Sequence, residues 1–297
     1  MLQERQLTYE FVSDNSTMFS VESMCKTLDL SSSAYYEWKK DIPSQRKIAW
    51  EKDTKLVLKE YNESKRRYGS HKITAVPNQN GVTTSRNRIA RIMKRNGIKS
   101  CICKSYKPQT TRSDHGKRVA LNHLNREFKT NEPCKVWVSD LTYVPTEQGW
   151  LYLTTIIDLF DHSIVGWSMS EDMTAENTVM KAWKMAKRNR KPKAEMLFHS
   201  DQGVQYVAEE LKKEFRKANV IQSVSRKGNC WDNAVAENFF KIIKSEMIDH
   251  RHYYSRFQAK TEIFHFIEVW YNRKRIHSKL GYRSPLEFME LYNQCAA

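Results

Sequence analysis

Apolar residues recur at helical spacing through the first hundred positions, and the period then changes. In VESMCKTL, Val21, Met24, Cys25 and Leu28 fall on one face with Ser20 placed to cap it, and Ser31 or Ser32 is placed to cap SAYYEWKK. The first forty residues therefore predict two short helices around a turn at Asp29, the spacing of a helix-turn-helix and equally of any small helical hairpin. A charged helix is expected from about Arg46 to Ser64, with Ile48, Leu56, Leu58 and Tyr61 among its apolar positions. Another begins near Ser70, and Pro77 falls where it should continue, an interior site where proline costs about 3 kcal/mol or more. Either that helix ends by Val76 or the unit is destabilised. Thr83 or Thr84 is placed to cap the next helix, whose Ile89, Ile92 and Met93 form a core stripe and whose end is marked by Asn96-Gly97.

Residues 105–118, SYKPQTTRSDHGKR, have no apolar period and read as a linker. Beyond them KVWVSDLTYVP, WLYLTTIIDLF and SIVGWSMS are β-branched and aromatic runs, parted by turn signals at 147–149 and 161–163. A helix capped by Thr174 and running to about Arg190 comes next, then a strand (EMLFHSD), a helix from about Ala208 to Asn219 and a strand (VIQSVS). A longer helix starts at about Ala234. The order βββαβαβα predicts an α/β fold, a mixed sheet with helices on its faces. From about His250 the chain is helical and aromatic-rich, and Ser284, Pro285 and Glu287 supply an N-cap, an N1 proline and an N3 acid for a last helix.

Charge narrows the partners. The 297 residues carry 50 Lys+Arg against 34 Asp+Glu, a formal net charge of +16, which favours polyanions through steering and counterion release. A basic membrane-surface protein is the competing class, weakened because no apolar run approaches the roughly 18 residues of a spanning helix. The N-terminus MLQERQLTYEF lacks the apolar stretch of a signal peptide, so a cytoplasmic protein is expected. Six scattered cysteines (Cys25, Cys101, Cys103, Cys134, Cys230, Cys295) argue against a disulfide scaffold and fit a reducing compartment. Cys101 and Cys103 with His115 and His123 have the wrong spacing for a zinc site, and unliganded thiols are expected.

Three acids stand where chemistry can gather. Asp140 is read as ending the strand KVWVSD, Asp201 as ending EMLFHSD, and Glu237 lies in the first turns of the helix DNAVAENFFKIIKSEM. Carboxylates at strand ends and on a neighbouring helix can converge at one sheet edge and offer hard oxygen ligands to Mg²⁺ or Mn²⁺. Two such ions can stabilise the attacking and leaving oxygens of an in-line phosphoryl displacement. Each acid also has a purely structural reading, as a loop-amide acceptor, a turn former or a charge near a helix N-terminus. Sixty residues separate Asp140 from Asp201 and thirty-five separate Asp201 from Glu237.

With that spacing the segment resembles the DDE transposases and retroviral integrases, and most closely the OrfB product of the insertion sequence 3 family. The matching stretches are VWVSDLTYVPTEQGWLYLTTIIDLFDHSIVGWSMS, FHSDQGVQY, NCWDNAVAENFFKIIKSE and YNRKRIHSKLGYRSPLEF, with MFSVESMCKTLDLSSSAYYEW and RRYGSHKI near the front. The resemblance implies an RNase H-like catalytic core preceded by an all-helical helix-turn-helix region. It divides the chain into a helix-turn-helix-like segment (1–45), a second such DNA-binding domain (46–104), a linker (105–130), the catalytic core (131–250) and a helical extension (251–297). It implies a metal-holding catalytic triad of Asp140, Asp201 and Glu237, two Mg²⁺ or Mn²⁺ ions, and DNA contact by Lys244 near the cut. The activity implied is 3′-end cleavage and strand transfer on terminal inverted repeats and target DNA. The working form implied is a homo-oligomer on nucleoid DNA, with an upstream OrfA product or fusion.

Glu237, Lys241, Lys244 and Ile248 fall on one helical face, and Phe239, Ile242, Ile243 and Met247 offer the sheet side. Further DNA contacts are expected from Lys241, from Arg226 and Lys227 in the loop SRKGNCW, where Trp231 can stack or pack, and from Arg86, Arg88, Arg91, Arg273 and Arg275. A solvated surface accounts for any one of these cations as well. Asp232 and Asn233 read as helix caps, His199 as a core residue beside Asp201, and Asp158 as a structural strand-end acid. The rival activities are a nuclease of the same fold without strand transfer, and a DNA-binding regulator without catalysis.

Overall fold

Three helices open the computed structural model, which describes residues 2–40, 45–102, 119–227 and 229–296. They are α1 (Leu2–Asp14), α2 (Val21–Thr27) and α3 (Ser32–Lys39), closed on a small core of Val12, Met24, Cys25 and Tyr35. The apolar pattern predicts only the last two. Among the α1 residues whose burial is described, only Val12 is fully buried, while Leu7 and Phe11 are exposed, so they form no stripe to detect. Ser31 caps α3 by accepting from the Ala34 N–H, whereas Ser20 stands at the N-cap of α2 without a side-chain bond, and Leu28 lies exposed at its C-cap.

Helices α4 (Gln45–Glu63), α5 (Ser70–Gln79) and α6 (Arg86–Arg95) follow. In α4 the fully buried residue is Val57, and Ile48 and Leu58 are exposed, a correction to the expected face. Helix α5 does not stop at Val76: it runs through Pro77 to Gln79, with the proline buried in its last turn. The Val76 and Pro77 carbonyls accept from the Asn80 N–H, and that of Pro77 also from Val82, which closes the end. Ser85, not Thr83 or Thr84, caps α6, because the Asn78 side chain already holds the Thr84 backbone. Ile89, Ile92 and Met93 are buried as predicted, and Gly97 ends the turn at φ +64°. Cys103, His115 and the 105–118 stretch lie outside the described residues. Cys25, Cys101, Cys134 and Cys295 are not in disulfides.

The five strands are β1 (Val136–Thr146), β2 (Gly149–Asp158), β3 (Ile164–Ser170), β4 (Leu197–Ser200) and β5 (Ile221–Val224), ordered β3-β2-β1-β4-β5. β1, β2 and β3 form an antiparallel meander, and β4 and β5 add in parallel beside β1. This is the mixed sheet of the expected RNase H-like core.

Helices cover both faces. On one, α7 (Lys181–Asn189) enters through a π-helical segment, Glu176–Met180, and packs Trp183 and Ala186 on Trp137, Phe198 and Val165; α8 (Glu209–Lys217) adds Leu211 and Phe215. On the other, α9 (Ala234–Glu246) lays Phe239, Phe240 and Ile243 on Val138, Val144 and Leu153. Then come α10 (Arg256–Phe264), a π-helical segment His265–Tyr271, and α11 (Pro285–Ala296). The predicted start of α11 is a capping box: the Glu287 carboxylate accepts from the Ser284 N–H and Ser284 Oγ from the Glu287 N–H. The hydrophobic cluster under α9 continues into Val57, Tyr68, Ile73, Ile89 and Ile92 of the front helical region. No helix among the described residues is long and apolar enough to cross a membrane.

Candidate active site

Asp140 does not end its strand. It is the fifth residue of the eleven in β1, and what ends beside it is β4: the parallel pairing of the two strands stops at Ser139 opposite Ser200. β1 continues from there as a hairpin with β2, so the sheet edge opens at Asp140 although the strand does not. Asp201 is the first residue past β4, at the same opening. Its Oδ1 accepts from the Gly203 N–H at 3.0 Å, and Asp140 Oδ1 accepts from the Leu141 N–H at 2.8 Å. Gly203 suits this tight turn, because a Cβ there would meet Asp201 Oδ1 and Gln205 Oε1 at 3.0 Å.

Glu237 is exposed in the first turn of α9. The start of α9 is tied to β1 by Asn233, whose Nδ2 donates to the Ser139 carbonyl at 3.0 Å, next to Asp140. Burial pushes the Asp140 carboxyl well up, and the charges of Asp201 and Glu237 push further, while the Leu141 N–H and Lys244 oppose them. Burial also raises Asp201, against the Gly203 N–H. Below them Tyr206, buried and bonded to Ser139 Oγ at 2.9 Å, is raised by burial and by both aspartates.

Among the described residues no three His, Cys, Asp or Glu side chains are already drawn together as a metal-ligand set. The donor chemistry nonetheless fits a hard divalent cation. Burial disfavours the charge of Asp140 and Asp201, and Asp201 and the exposed Glu237 act electrostatically on Asp140, so a cation bound between them relieves both costs.

Lys244 lies on the same helix, with Nζ 5.1 Å from the centroid of the Tyr143 ring in β1, and Lys241 is exposed one turn earlier. Ile248 leaves this face: α9 ends at Glu246, and Ile248 is buried in a following 3₁₀ turn. Phe239, Ile243 and Met247 are buried as expected, and Phe240 joins them.

Other predicted residues sort differently. Asp232 is no helix cap. Its fully buried carboxylate accepts from Arg226 Nε and Nη2 at 2.8 Å, Arg126 Nε at 2.8 Å and Asn122 Nδ2 at 2.9 Å. Those bonds, led by Arg226, hold it far below the ordinary carboxylate range. Arg226, expected on DNA, thus spends hydrogen bonds inside the protein, while Lys227 and Trp231 beside it are exposed. Arg88 pairs with Asp53 and lies over the Trp50 ring, whereas Arg86 and Arg91 are exposed.

Arg275 is the clearest correction. It is buried and grips Glu246 through Nε at 3.1 and 3.2 Å and Nη2 at 2.8 Å, so it is not a surface cation; Arg273 remains exposed. His199 is a core residue, held between Ser223 Oγ at 2.8 Å and Ser225 Oγ at 3.0 Å and pushed down to about 4 by burial. Asp158 is structural: it accepts from the Cys134 and Phe160 N–H groups and pairs with Arg190. Arg126, Glu246 and Arg67 escape sequence reasoning, because their partners lie 106, 29 and 179 residues away and leave no local pattern.

A family model described as Integrase core domain matches residues 130–230, a second of that description matches 237–291, and one described as HTH-like domain matches 49–106. The chain is 40% identical to the insertion element IS600 uncharacterized 31 kDa protein of Shigella sonnei, over 92% of this chain and 100% of that one. It is 34% identical to the transposase InsF for insertion sequence IS3A of Escherichia coli (strain K12), over 95% and 98% respectively. To the transposase for insertion sequence element IS904 of Lactococcus lactis subsp. lactis (strain IL1403) the identity is 37%, over 84% and 98%. A simian T-cell lymphotropic virus intasome aligns at 12% identity and a TM-score of 0.46, over 72% of this chain and 69% of that one. The HTLV-2 integrase catalytic core domain in complex with magnesium aligns at 14% and 0.41, over 54% and 99%.

Proposed function

The chain belongs to the insertion sequence 3 family of transposases, of the OrfB type, and on that premise we propose how its residues divide the reaction. It is a DDE-type transposase, a polynucleotidyl transferase acting on DNA. Asp140, Asp201 and Glu237 are the catalytic carboxylates and hold Mg²⁺ or Mn²⁺, two ions in the working site. The observation that carries this is the opening beside β4, where Asp201 leaves β4 next to Asp140 of the parallel strand β1 and Glu237 acts on Asp140 from α9. Bound there, the ions supply the charge stabilisation of attacking and leaving oxygens in an in-line displacement.

The protein's own part is placement. In 3′-end cleavage a water oxygen bonds to phosphorus while the 3′-oxygen leaves and takes a proton. In strand transfer that 3′-hydroxyl gives up its proton and attacks a target phosphodiester, whose own 3′-oxygen leaves. Lys244 and Lys241 hold phosphates of the reacting strand along α9, and neither step needs a covalent protein–DNA intermediate.

Residues 1–45 and 46–104 recognise the terminal inverted repeats, with Arg86, Arg91 and Lys227 as exposed cations for the duplex and Arg273 for its flank. Residues 105–130 join them to the catalytic core at 131–250, and 251–297 brace it. The active form is an oligomer on DNA in the bacterial cytoplasm and nucleoid, working with an upstream OrfA product or as a fusion with it.

The test is labelled element-end DNA incubated with Mg²⁺ and the chain, with the upstream product supplied. Joined products are expected, and Asp140→Ala, Asp201→Ala or Glu237→Ala should each remove them while leaving DNA binding in place. Hydrolysis without joining would replace transposition by a nuclease activity, and joining by the triple variant would overturn the site.

A further inference from the structure

We propose that Trp150, at the tip of the β1–β2 hairpin, is a stacking site for an unpaired nucleobase at the DNA end whose phosphodiester lies at the three carboxylates. The proposal rests on the reading of those carboxylates given above. Two aromatic contacts lead there from Lys244. Lys244 acts electrostatically on Asp140, and its Nζ lies 5.1 Å from the centroid of the Tyr143 ring. Tyr143 meets Trp150 edge-to-face, with centroids 4.8 Å apart and planes at 78°. Beside that contact Trp150 remains 49% exposed.

The indole stands on a fixed platform. Trp150 pairs with Pro145 in the hairpin ladder, and its carbonyl accepts from Arg256 Nε at 3.3 Å. The Arg256 N–H donates in turn to Gln148 Oε1 at 3.0 Å, which pins the hairpin tip to α10. A rigid aromatic surface loses little conformational freedom when a base settles on it.

Charge around the tip suits a strand. Of the nearby acids, Glu171 is paired with Arg256 at 2.9 Å and Lys260 at 3.3 Å, and Glu147 Oε1 is hydrogen-bonded to His252 Nε2 at 2.8 Å. Lys241 and Lys244 lie on α9 between Glu237 and the hairpin. From Glu237 to Lys244 the helix rises about 10 Å, at about 1.5 Å per residue. That is roughly three nucleotides of a strand stepping about 3.4 Å each. Phosphates on the lysines and a base on Trp150 therefore fit one strand leaving the reacting phosphodiester. Stacking tolerates any base, because every base has a π-face.

The test is binding by the full chain without divalent cations, comparing a duplex that carries a short unpaired tail with the blunt duplex of the same sequence. The wild type should prefer the tailed duplex and quench a 2-aminopurine placed in the tail. Trp150→Ala should weaken tailed-duplex binding about tenfold, leave blunt-duplex binding unchanged, and abolish the quenching. Trp150→Phe should restore most of the preference. Lys244→Gln should instead lower the salt dependence by about one phosphate contact on both duplexes. An undiminished tail preference in Trp150→Ala overturns the proposal. So does a change confined to self-association in sedimentation, which would assign Trp150 to a contact between copies. Absence of strand joining would overturn the catalytic reading without altering these binding measurements.

Discussion

His162 and His277 stack with centroids 6.5 Å apart and planes 4° from parallel, and Tyr271 meets His277 edge-on. Burial pushes His162 down to about 4, helped by Lys279 against Asp161, and pushes His277 down to about 2, helped by Arg275 and Lys72. Both rings are neutral in the folded chain, while an unfolded imidazole takes its proton near about 6.5. The unfolded state therefore binds more protons as the pH falls. Stability from this pair is complete above about pH 6.5 and is lost progressively below it, through about pH 4 for His162 and about pH 2 for His277. Thermal midpoints measured across that window should fall for the wild type and fall less steeply for His277→Asn; parallel curves would refute the assignment. The same scale explains why some of the expected DNA-contacting arginines have partners inside the protein. Cationic character is visible in the sequence, but the carboxylates that occupy Arg275, Arg226 and Arg88 are brought to them by the fold.

Elements were legible where a face is buried continuously and obscure where it is not. The strands and the helices α6 and α9 follow their apolar period, whereas α1, with Val12 fully buried but Leu7 and Phe11 exposed, does not announce itself. Close approach between elements is equally silent in the sequence. A Cβ on Gly166 of β3 would stand 2.3 Å from the Ala182 carbonyl oxygen and 2.7 Å from the Ala186 Cβ on α7. Both clashes are with parts of the helix that cannot swing away. Gly166→Ala should therefore lift α7 from the sheet and cost about 1–3 kcal/mol, as overpacking does. Chemical denaturation reads this directly, and a variant as stable as the wild type would show that the helix has room to shift.

In the whole molecule, one buried node fastens the front helical region to the catalytic helix. Glu246, at the end of α9, holds Arg275 and accepts from Trp270 Nε1 at 3.3 Å, and its backbone carbonyl accepts from Arg67 Nε at 3.4 Å. Arg67 lies over the rings of Phe266 and Trp270, and Tyr68 Oη bonds the backbone of Lys274 and Ile276. Burial alone would raise Glu246, but Arg275 and the bonds around it hold it below its ordinary range. Glu246→Ala leaves the Arg275 charge buried and uncompensated, and about 3–5 kcal/mol of stability should be lost. Because one hydrophobic cluster runs from Val57 and Ile73 to Phe239 and Ile243, tryptophan fluorescence and far-UV circular dichroism should report a single coincident transition. Separate transitions would show that the helical region and the sheet unfold independently.

The sequence by itself determined the order of strands and helices along the chain, a net charge that favours a polyanionic partner and the three acids on which the activity is proposed to rest. Periodicity, net charge and spacing are properties of the chain read locally, and they survive folding unchanged. Only the tertiary structure decided that Asp140 sits mid-strand beside the end of β4, that Asp232 binds two arginines instead of capping a helix, and that Arg275 belongs to the core. It alone decided that Trp150 is linked to the carboxylates through Tyr143 and Lys244. The reason is common to all four: each depends on a partner distant along the chain, and the burial that gives such a pairing its energy exists only once the sheet has formed.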